Sequence, residues 1–120
     1  LFVARLNDTI CGAVQLVAPP KNNEAQAFAA QLTGNFLAPW SRGHGLARRM
    51  VEAVEDAARA GGFAILNLDV RATQEVAIGL YETMGFQRWG EHPAYARVDG
   101  KVVTGYFYFK RLAGRAKGRP

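Results

Sequence analysis

Hydrophobic and polar positions along this chain change period several times, and each change marks an element. Leu1 to Leu6 alternates weakly, Asn7-Asp8 carries turn chemistry, and Ile10 to Val17 is a second β-rich run. Together they predict an antiparallel hairpin. Pro19-Pro20-Lys21-Asn22-Asn23 is a loop, and Ala25 to Ala38 is legible in two ways. Its alanines suit a helix, whereas Thr33, Gly34, Asn35 and the exit at Pro39 suit an extended segment. From Gly45 to Ala60 the period becomes helical, with Leu46, Ala47, Met50, Val51, Val54 and Ala58 on one stripe. Arg48, Arg49, Glu52, Glu55 and Arg59 are expected to face away, and Gly61-Gly62 ends the helix.

Phe63 to Val70 reads as a short buried strand, interrupted by Asn67 and Asp69. A second helix comes next, with Thr73 as N-cap and Gln74 and Glu75 in the first turn. Its inner side is expected to carry Val76, Ala77, Leu80, Tyr81 and Met84, with Gly85 as terminator. Phe86 to Trp89 and Tyr95 to Val98 then begin a hairpin that turns at Asp99-Gly100 and returns through Val102 to Phe109. Strands and helices alternate within one chain, which makes the fold class α/β, in the broad sense that includes α+β.

With 120 residues, 49% of them hydrophobic, the chain supports one domain and one modest core. It contains no apolar run long enough to span a bilayer, and its first residues show no basic leader or cleavage site. A cytoplasmic protein that does not bind membranes is the expectation. Cys11 is the only cysteine, so no internal disulfide forms, and a small buried hydrophobe is its expected role. The net charge of +5 invites a nucleic-acid reading until it is located. Lys110, Arg111, Arg115, Lys117 and Arg119 supply it, and the other ten basic residues match the ten acids. The body is neutral, which argues against specific nucleic-acid binding, and residues 113–120 read as a disordered basic tail after a domain at 1–112. Two histidines and one cysteine, widely separated, make no metal-ligand set.

The most informative stretch is Pro39-Trp40-Ser41-Arg42-Gly43-His44-Gly45-Leu46, followed by Ala47. A strand-like run breaks at a proline, turns through two glycines and enters an amphipathic helix. That is the make-up of a phosphate cradle: Gly43 and Gly45 let the backbone approach an anion, free amides at the helix start point at it, and Arg42 adds a charged donor. A Walker loop would need a Lys-Ser/Thr pair, and a dinucleotide fingerprint a third glycine; neither is present. Arg42-x-x-Gly45-x-Ala47 instead resembles the acyl-coenzyme A loop of the GNAT superfamily of N-acetyltransferases. Downstream, Ala77-Ile78-Gly79-Leu80-Tyr81-Glu82-Thr83-Met84-Gly85-Phe86 is similar to that family's Ala-x-x-Leu-Tyr-x-x-x-Gly-Phe segment, one helix and one strand after the loop as in the family. The resemblance runs from about Leu1 to Leu112. It implies a mixed, mostly antiparallel sheet flanked by helices, and it favours a strand over Ala25 to Ala38. The family normally begins with a strand and a helix pair that form one wall of the acceptor site, and here that wall is expected either from a longer chain of which this is a piece or from another chain.

Acetyl transfer to an amine needs a cradle for the pyrophosphate, a path for the pantetheine arm, a base for the ammonium and an acid for the leaving thiolate. The resemblance assigns the cradle to Arg42, Gly43, His44, Gly45, Leu46 and Ala47. It assigns backbone pairing with the pantetheine to Phe36, Leu37 and Ala38, above all Leu37. Further coenzyme contacts fall to Gln74, where the family often has asparagine, and to Ala77. It makes Tyr81 the acid, and a phenol suits the role, since its pKa near ~10 is close to a thiol's ~8.5. The other reading of Tyr81 is a core residue on the buried face of a helix. Many relatives carry a glutamate eight residues before Pro39, where this chain has Gln31, which cannot hold a proton. Asp69, the acid in an otherwise apolar strand, is the substitute; a strand-end acid or a cap for the next helix is the alternative, with Glu75 and His92 as reserves. The expected cosubstrate is acetyl-CoA, with no metal, and the expected acceptor is an amine. The stretch from Leu66 to Leu112 also resembles the tabtoxin-resistance type of small-molecule acetyltransferase. A homodimer is compatible with all of this. A catalytically silent acyl-coenzyme A-binding domain, or a peptide or protein N-acetyltransferase, is the alternative function.

Overall fold

The computed structural model describes residues 1–6, 8–19, 28–38 and 45–112. In chain order these form β1 (Phe2–Leu6), β2 (Thr9–Val17), β3 (Ala29–Leu37), α1 (Leu46–Ala60), β4 (Ile65–Arg71), α2 (Glu75–Thr83), β5 (Gln87–Val98) and β6 (Lys101–Arg111). Two compact units result, one over Leu1–Leu66 with Arg111 and Leu112, the other over Asn67–Lys110. The expected tail, residues 113–120, lies outside the described residues. The described helices include none long and apolar enough to cross a membrane.

In the first unit, β1, β2 and β3 lie side by side in that order, antiparallel, with Val3 opposite Ala13 and Gln15 opposite Thr33. The segment with two readings is thus a strand from Ala29 onward. Between the pairs Ala13–Phe36 and Gln15–Thr33, β3 carries one residue more than β2. Such a bulge bends a strand and re-aims the residues beyond it, here residues 36–38. Helix α1 packs on these strands through Met50, Val51, Val54 and Ala58, which join Ala4, Cys11, Val14, Ala30 and Leu32 in the core. Each of the buried Val, Leu and Met side chains among them contributes about 1.5–3 kcal/mol over an exposed one. Glu55 departs from the expected outward face: it is 5% exposed, because it lies one turn after Val51 on the same stripe. Arg59 accompanies it, its Nη2 lying 3.9 Å from Glu55 Oε1. The amides of Ala64 and Ile65 both donate to the carbonyl of Phe28, at 2.8 and 3.3 Å. The segment that leads into β4 therefore starts beside the start of β3.

In the second unit the strand order is β4-β6-β5. The β5–β6 hairpin turns at Asp99 (φ 52°) and Gly100 (φ 79°), both left-handed as a two-residue type I′ turn demands. β5 is one strand of twelve residues, not the two short runs expected, and it is strongly bulged. Between His92–Gly105 and Ala96–Val103, three residues of β5 (Pro93, Ala94 and Tyr95) oppose Thr104 alone. β4 also departs from the reading of a strand buried on both faces. Leu66, Leu68 and Val70 are buried, while Asn67, Asp69 and Arg71 alternate with them on a half-buried face. In α2 the N-cap is Gln74 and not Thr73: the Gln74 carbonyl accepts from Ile78 at 3.0 Å, and no side chain caps the helix. Val76, expected inside, is 84% exposed, whereas Tyr81 and Met84 are buried as the periodicity predicts.

Candidate functional site

Helix α1 opens on Gly45, whose φ of 71° and ψ of 13° are left-handed. Among the described residues, its chain neighbours and its own helix backbone aside, no atom stands within 4 Å of where a Cβ would be, and the left-handed backbone conformation favours glycine. A glycine N-cap leaves the first-turn amides without a side-chain acceptor, and no such bond is present. The first turn holds no acidic residue and carries Arg48 and Arg49. First-turn amides without a side-chain cap and the positive end of the helix dipole suit an anion such as a pyrophosphate; Arg49 carries a guanidinium in the same turn, while that of Arg48 is paired with Glu52 at 3.4 Å. Leu46 and Ala47 are half-buried in this turn. Arg42, Gly43 and His44 lie outside the described residues.

The strand before the cradle shows which backbone groups β2 already uses. The Ala38 amide donates to the carbonyl of Cys11 at 2.7 Å, and Leu37 pairs with Gly12 and Phe36 with Ala13. Hydrogen-bonding direction alternates along an antiparallel ladder, so the N–H and C=O of Leu37 point away from β2. Cys11 itself is buried, its Sγ donating to the Ala4 carbonyl at 3.5 Å. Gln31 is half-buried in β3.

The second unit holds two polar-aromatic clusters. In one, Tyr81 of α2 is 3% exposed, its ring edge-on to Phe86 at 5.7 Å and tilted against Tyr108 at 6.4 Å. The Tyr108 hydroxyl, on β6, donates to Glu82 Oε2 at 2.7 Å. In the other, the Tyr95 hydroxyl donates to Asp69 Oδ2. Tyr95 lies over Gly105 and meets Phe107 edge-on, at 5.9 Å and 88°. Gly105 and Tyr108 are three residues apart on β6, so strand alternation puts the clusters on opposite faces. Tyr81 and Asp69 therefore belong to separate networks. Asp69 does not cap α2, because that helix has no side-chain cap. Ala77 is half-buried on α2, and Gln74 and Glu75 are exposed at its start. His92 is exposed, and its Nδ1 accepts the Ala94 amide at 3.0 Å, which fixes the start of the bulge. Among the described residues no three His, Cys, Asp or Glu side chains gather to hold a metal ion.

Both hydroxyl donors keep their protons unusually long. Burial, reinforced by the hydrogen bond to Asp69, pushes the Tyr95 phenol up to about 12, against an opposing influence from Arg71. Burial and then the bond to Glu82 push Tyr108 from 10.0 to about 12. Below the lower value both folded and unfolded chains hold the proton; between the two values only the folded chain does. Stability therefore falls as pH rises through that window. For Tyr108, fully buried, a shift of this size corresponds to roughly 2–3 kcal/mol. Tyr108→Phe is expected to make the decline of melting temperature between pH 10 and pH 12 shallower than in the wild type. An unchanged slope would mean that this phenol is not held as described.

Sequence reasoning did not single out Tyr95, Gly105, Glu82 or Tyr108. The signals were a proline between two short strand-like runs and a glycine inside the apolar partner strand, which together mark a bulge and a close approach.

The model of the acetyltransferase (GNAT) family matches residues 1–86 of this chain. An uncharacterized N-acetyltransferase from the hisH-hisA intergenic region of Azospirillum brasilense is 65% identical over 74 residues, which is 62% of this chain and 44% of that protein. Among solved structures, an N-acetyltransferase of Staphylococcus aureus Mu50 superposes with a TM-score of 0.84 at 19% identity, covering 92% of this chain and 66% of that one. An acetyltransferase of Salmonella typhimurium solved with its cofactor acetyl-CoA gives 0.82 at 18% identity, covering 98% and 66%. At such identities the two structures speak for the fold alone, and this chain spans 44% of the Azospirillum protein and 66% of each of the two structures. Gly45 at the start of α1, the segment ending Gly85-Phe86 and β4 between them all fall within the matched residues, and by that match the chain belongs to the acetyltransferase (GNAT) family.

Proposed function

We propose that this chain transfers an acetyl group from acetyl-CoA to a primary amine of a small molecule, by direct attack in a ternary complex. The observation that carries the reading is a helix opening on a left-handed, side-chain-free Gly45, with its amides uncapped, in a chain of the GNAT family. Acetyl-CoA, when bound, supplies the activated acetyl group. Gly45, Leu46 and Ala47 with Arg42, Gly43 and His44 hold its pyrophosphate, and the backbone of Phe36 to Ala38, Leu37 foremost, pairs with the pantetheine arm. Gln74 and Ala77 line the same coenzyme. Asp69 accepts a proton from the acceptor's ammonium group, so that the free amine attacks, and the hydroxyl of Tyr81 donates a proton to the departing sulfur. The proton count balances: one leaves nitrogen and one arrives at sulfur. A peptide or protein amine is the alternative acceptor. A silent acyl-coenzyme A-binding domain is the alternative function, favoured by Gln31 in place of a glutamate.

The cradle is tested by calorimetric titration of the wild type, Gly45→Val and His44→Ala with acetyl-CoA. A β-branched side chain in the left-handed region costs on the order of 1–2 kcal/mol, and it would also hold the anion away from the amides. Gly45→Val is expected to weaken binding by about tenfold or more, where tenfold is ~1.4 kcal/mol, and His44→Ala far less. Equal affinities for folded wild type and Gly45→Val would remove the cradle assignment.

A further inference from the structure

The bulge in β5 has a use in the second unit. With three residues of β5 opposite one of β6, the strand is thrown out of register at Pro93–Tyr95, and Tyr95 is laid flat over β6. It lies so close that a Cβ on Gly105 would come within 2.0 Å of Tyr95 Cγ. Real Cβ atoms do not approach a ring carbon that closely, so Gly105 is the residue that admits the ring. Phe107, on the same face of β6, fixes the ring edge-on at 5.9 Å, and Trp89 in turn packs against Phe107 at 5.5 Å. The His92 ring, bonded to the Ala94 amide, braces the start of the bulge. All of this places one hydroxyl on Asp69 Oδ2.

We propose that Tyr95 is a positioning residue for the Asp69 carboxylate: its ring, seated on Gly105 and held by Phe107, presents a hydroxyl that fixes the orientation in which Asp69 meets the acceptor amine. The inference rests on the reading of Asp69 as the base. Charge-assisted bonds to a carboxylate are short and strong, and a base gains from being held in one geometry before the amine arrives. Arg71, next but one along the same face of β4, is the charged group that acts on the Tyr95 phenol besides Asp69. Tyr106 points to the other face of β6 and is covered by the Arg88 guanidinium at 4.1 Å. Val103, Thr104 and Gly105, which face the bulge, do not titrate.

A double-mutant cycle on the full chain tests the pair. Tyr95→Phe keeps the ring and removes only the hydroxyl. Acting through Asp69, it is expected to lower kcat about tenfold with the KM for acetyl-CoA unchanged, and to have less than about a twofold effect when Asp69 is already asparagine. Gly105→Ala, which displaces the ring, is expected to reproduce the loss. An equal factor in both backgrounds, or no effect of Tyr95→Phe in the wild type, overturns the proposal. The second measurement needs no turnover: the Tyr95 phenol, followed by carbon-13 NMR of its Cζ, is expected to titrate near 12 in the wild type and to fall part of the way toward 10.0 in Asp69→Asn. Titration near the ordinary value in the wild type overturns the pair even if Tyr95→Phe does not fold. If instead Asp69→Asn leaves kcat unchanged while the phenol still responds to it, the base reading fails and the catalytic use of the pair with it.

Discussion

Asp69→Asn is expected to lower the rate of acetylation by ~10²-fold or more where the acceptor amine is still protonated, the deficit shrinking as rising pH deprotonates the amine in solution. Asparagine keeps the size of the side chain and still offers an oxygen to the Tyr95 hydroxyl, so the bulge and the face it covers are expected to stay in place. The ability to take a proton is lost. A capping role would lower thermal stability and leave the pH-rate profile alone, but α2 has its N-cap at Gln74 with no side-chain bond. The melting temperature of Asp69→Asn should therefore stay close to that of the wild type while the profile changes shape. A profile superimposable on the wild type would end the base assignment. Glu75, exposed in the first turn of α2, and His92, whose Nδ1 is occupied by the Ala94 amide, would be left as candidates.

The second large effect is expected at the sulfur. Tyr81→Phe retains the ring that packs against Phe86 and Tyr108, so the core and the affinity for coenzyme should be preserved. Turnover should fall by ~10²-fold, the usual worth of a positioned general acid, and recover in part at low pH, where solvent protonates the thiolate. At 3% exposure Tyr81 also satisfies the plain description of a core tyrosine. The two descriptions separate on this variant: turnover unchanged across the pH range would return Tyr81 to the core alone. Since the ring contacts of Tyr81 and the Asp69–Tyr95 hydrogen bond lie in separate clusters, the effects of the two substitutions are expected to multiply.

Features that depend on local periodicity are legible in the sequence. The stripe of α1, the hairpin of β1 and β2 and the Asp99-Gly100 turn come from spacing and turn chemistry, and the structure has them within a few residues. Departures arise where tertiary context outweighs a residue's own preference. Glu55 carries a charge that argues for the outer face, yet its helical position puts it under Val51 with Arg59 beside it. Val76 is apolar, which argues for the inner face, yet the first turn of α2 leaves it exposed. Ala25 to Ala38 has a composition that fits either element, and strand pairing with β2 decides it for the part from Ala29. The left-handed start of α1 at Gly45 is legible because a glycine before a helix has a local meaning. The Tyr95–Asp69 pair is not, since it joins residues 26 apart through a bulge whose register depends on the partner strand.

The central claim is acetyl transfer, and the release of coenzyme A thiol from acetyl-CoA by the full chain, monitored over a panel of small-molecule and peptide amines, tests it most directly. The account predicts thiol release that requires an amine and matches acetylated product mole for mole, strongest with small primary amines and reduced by both Asp69→Asn and Tyr81→Phe. Tight binding of acetyl-CoA with no amine-dependent thiol release anywhere on the panel would contradict it.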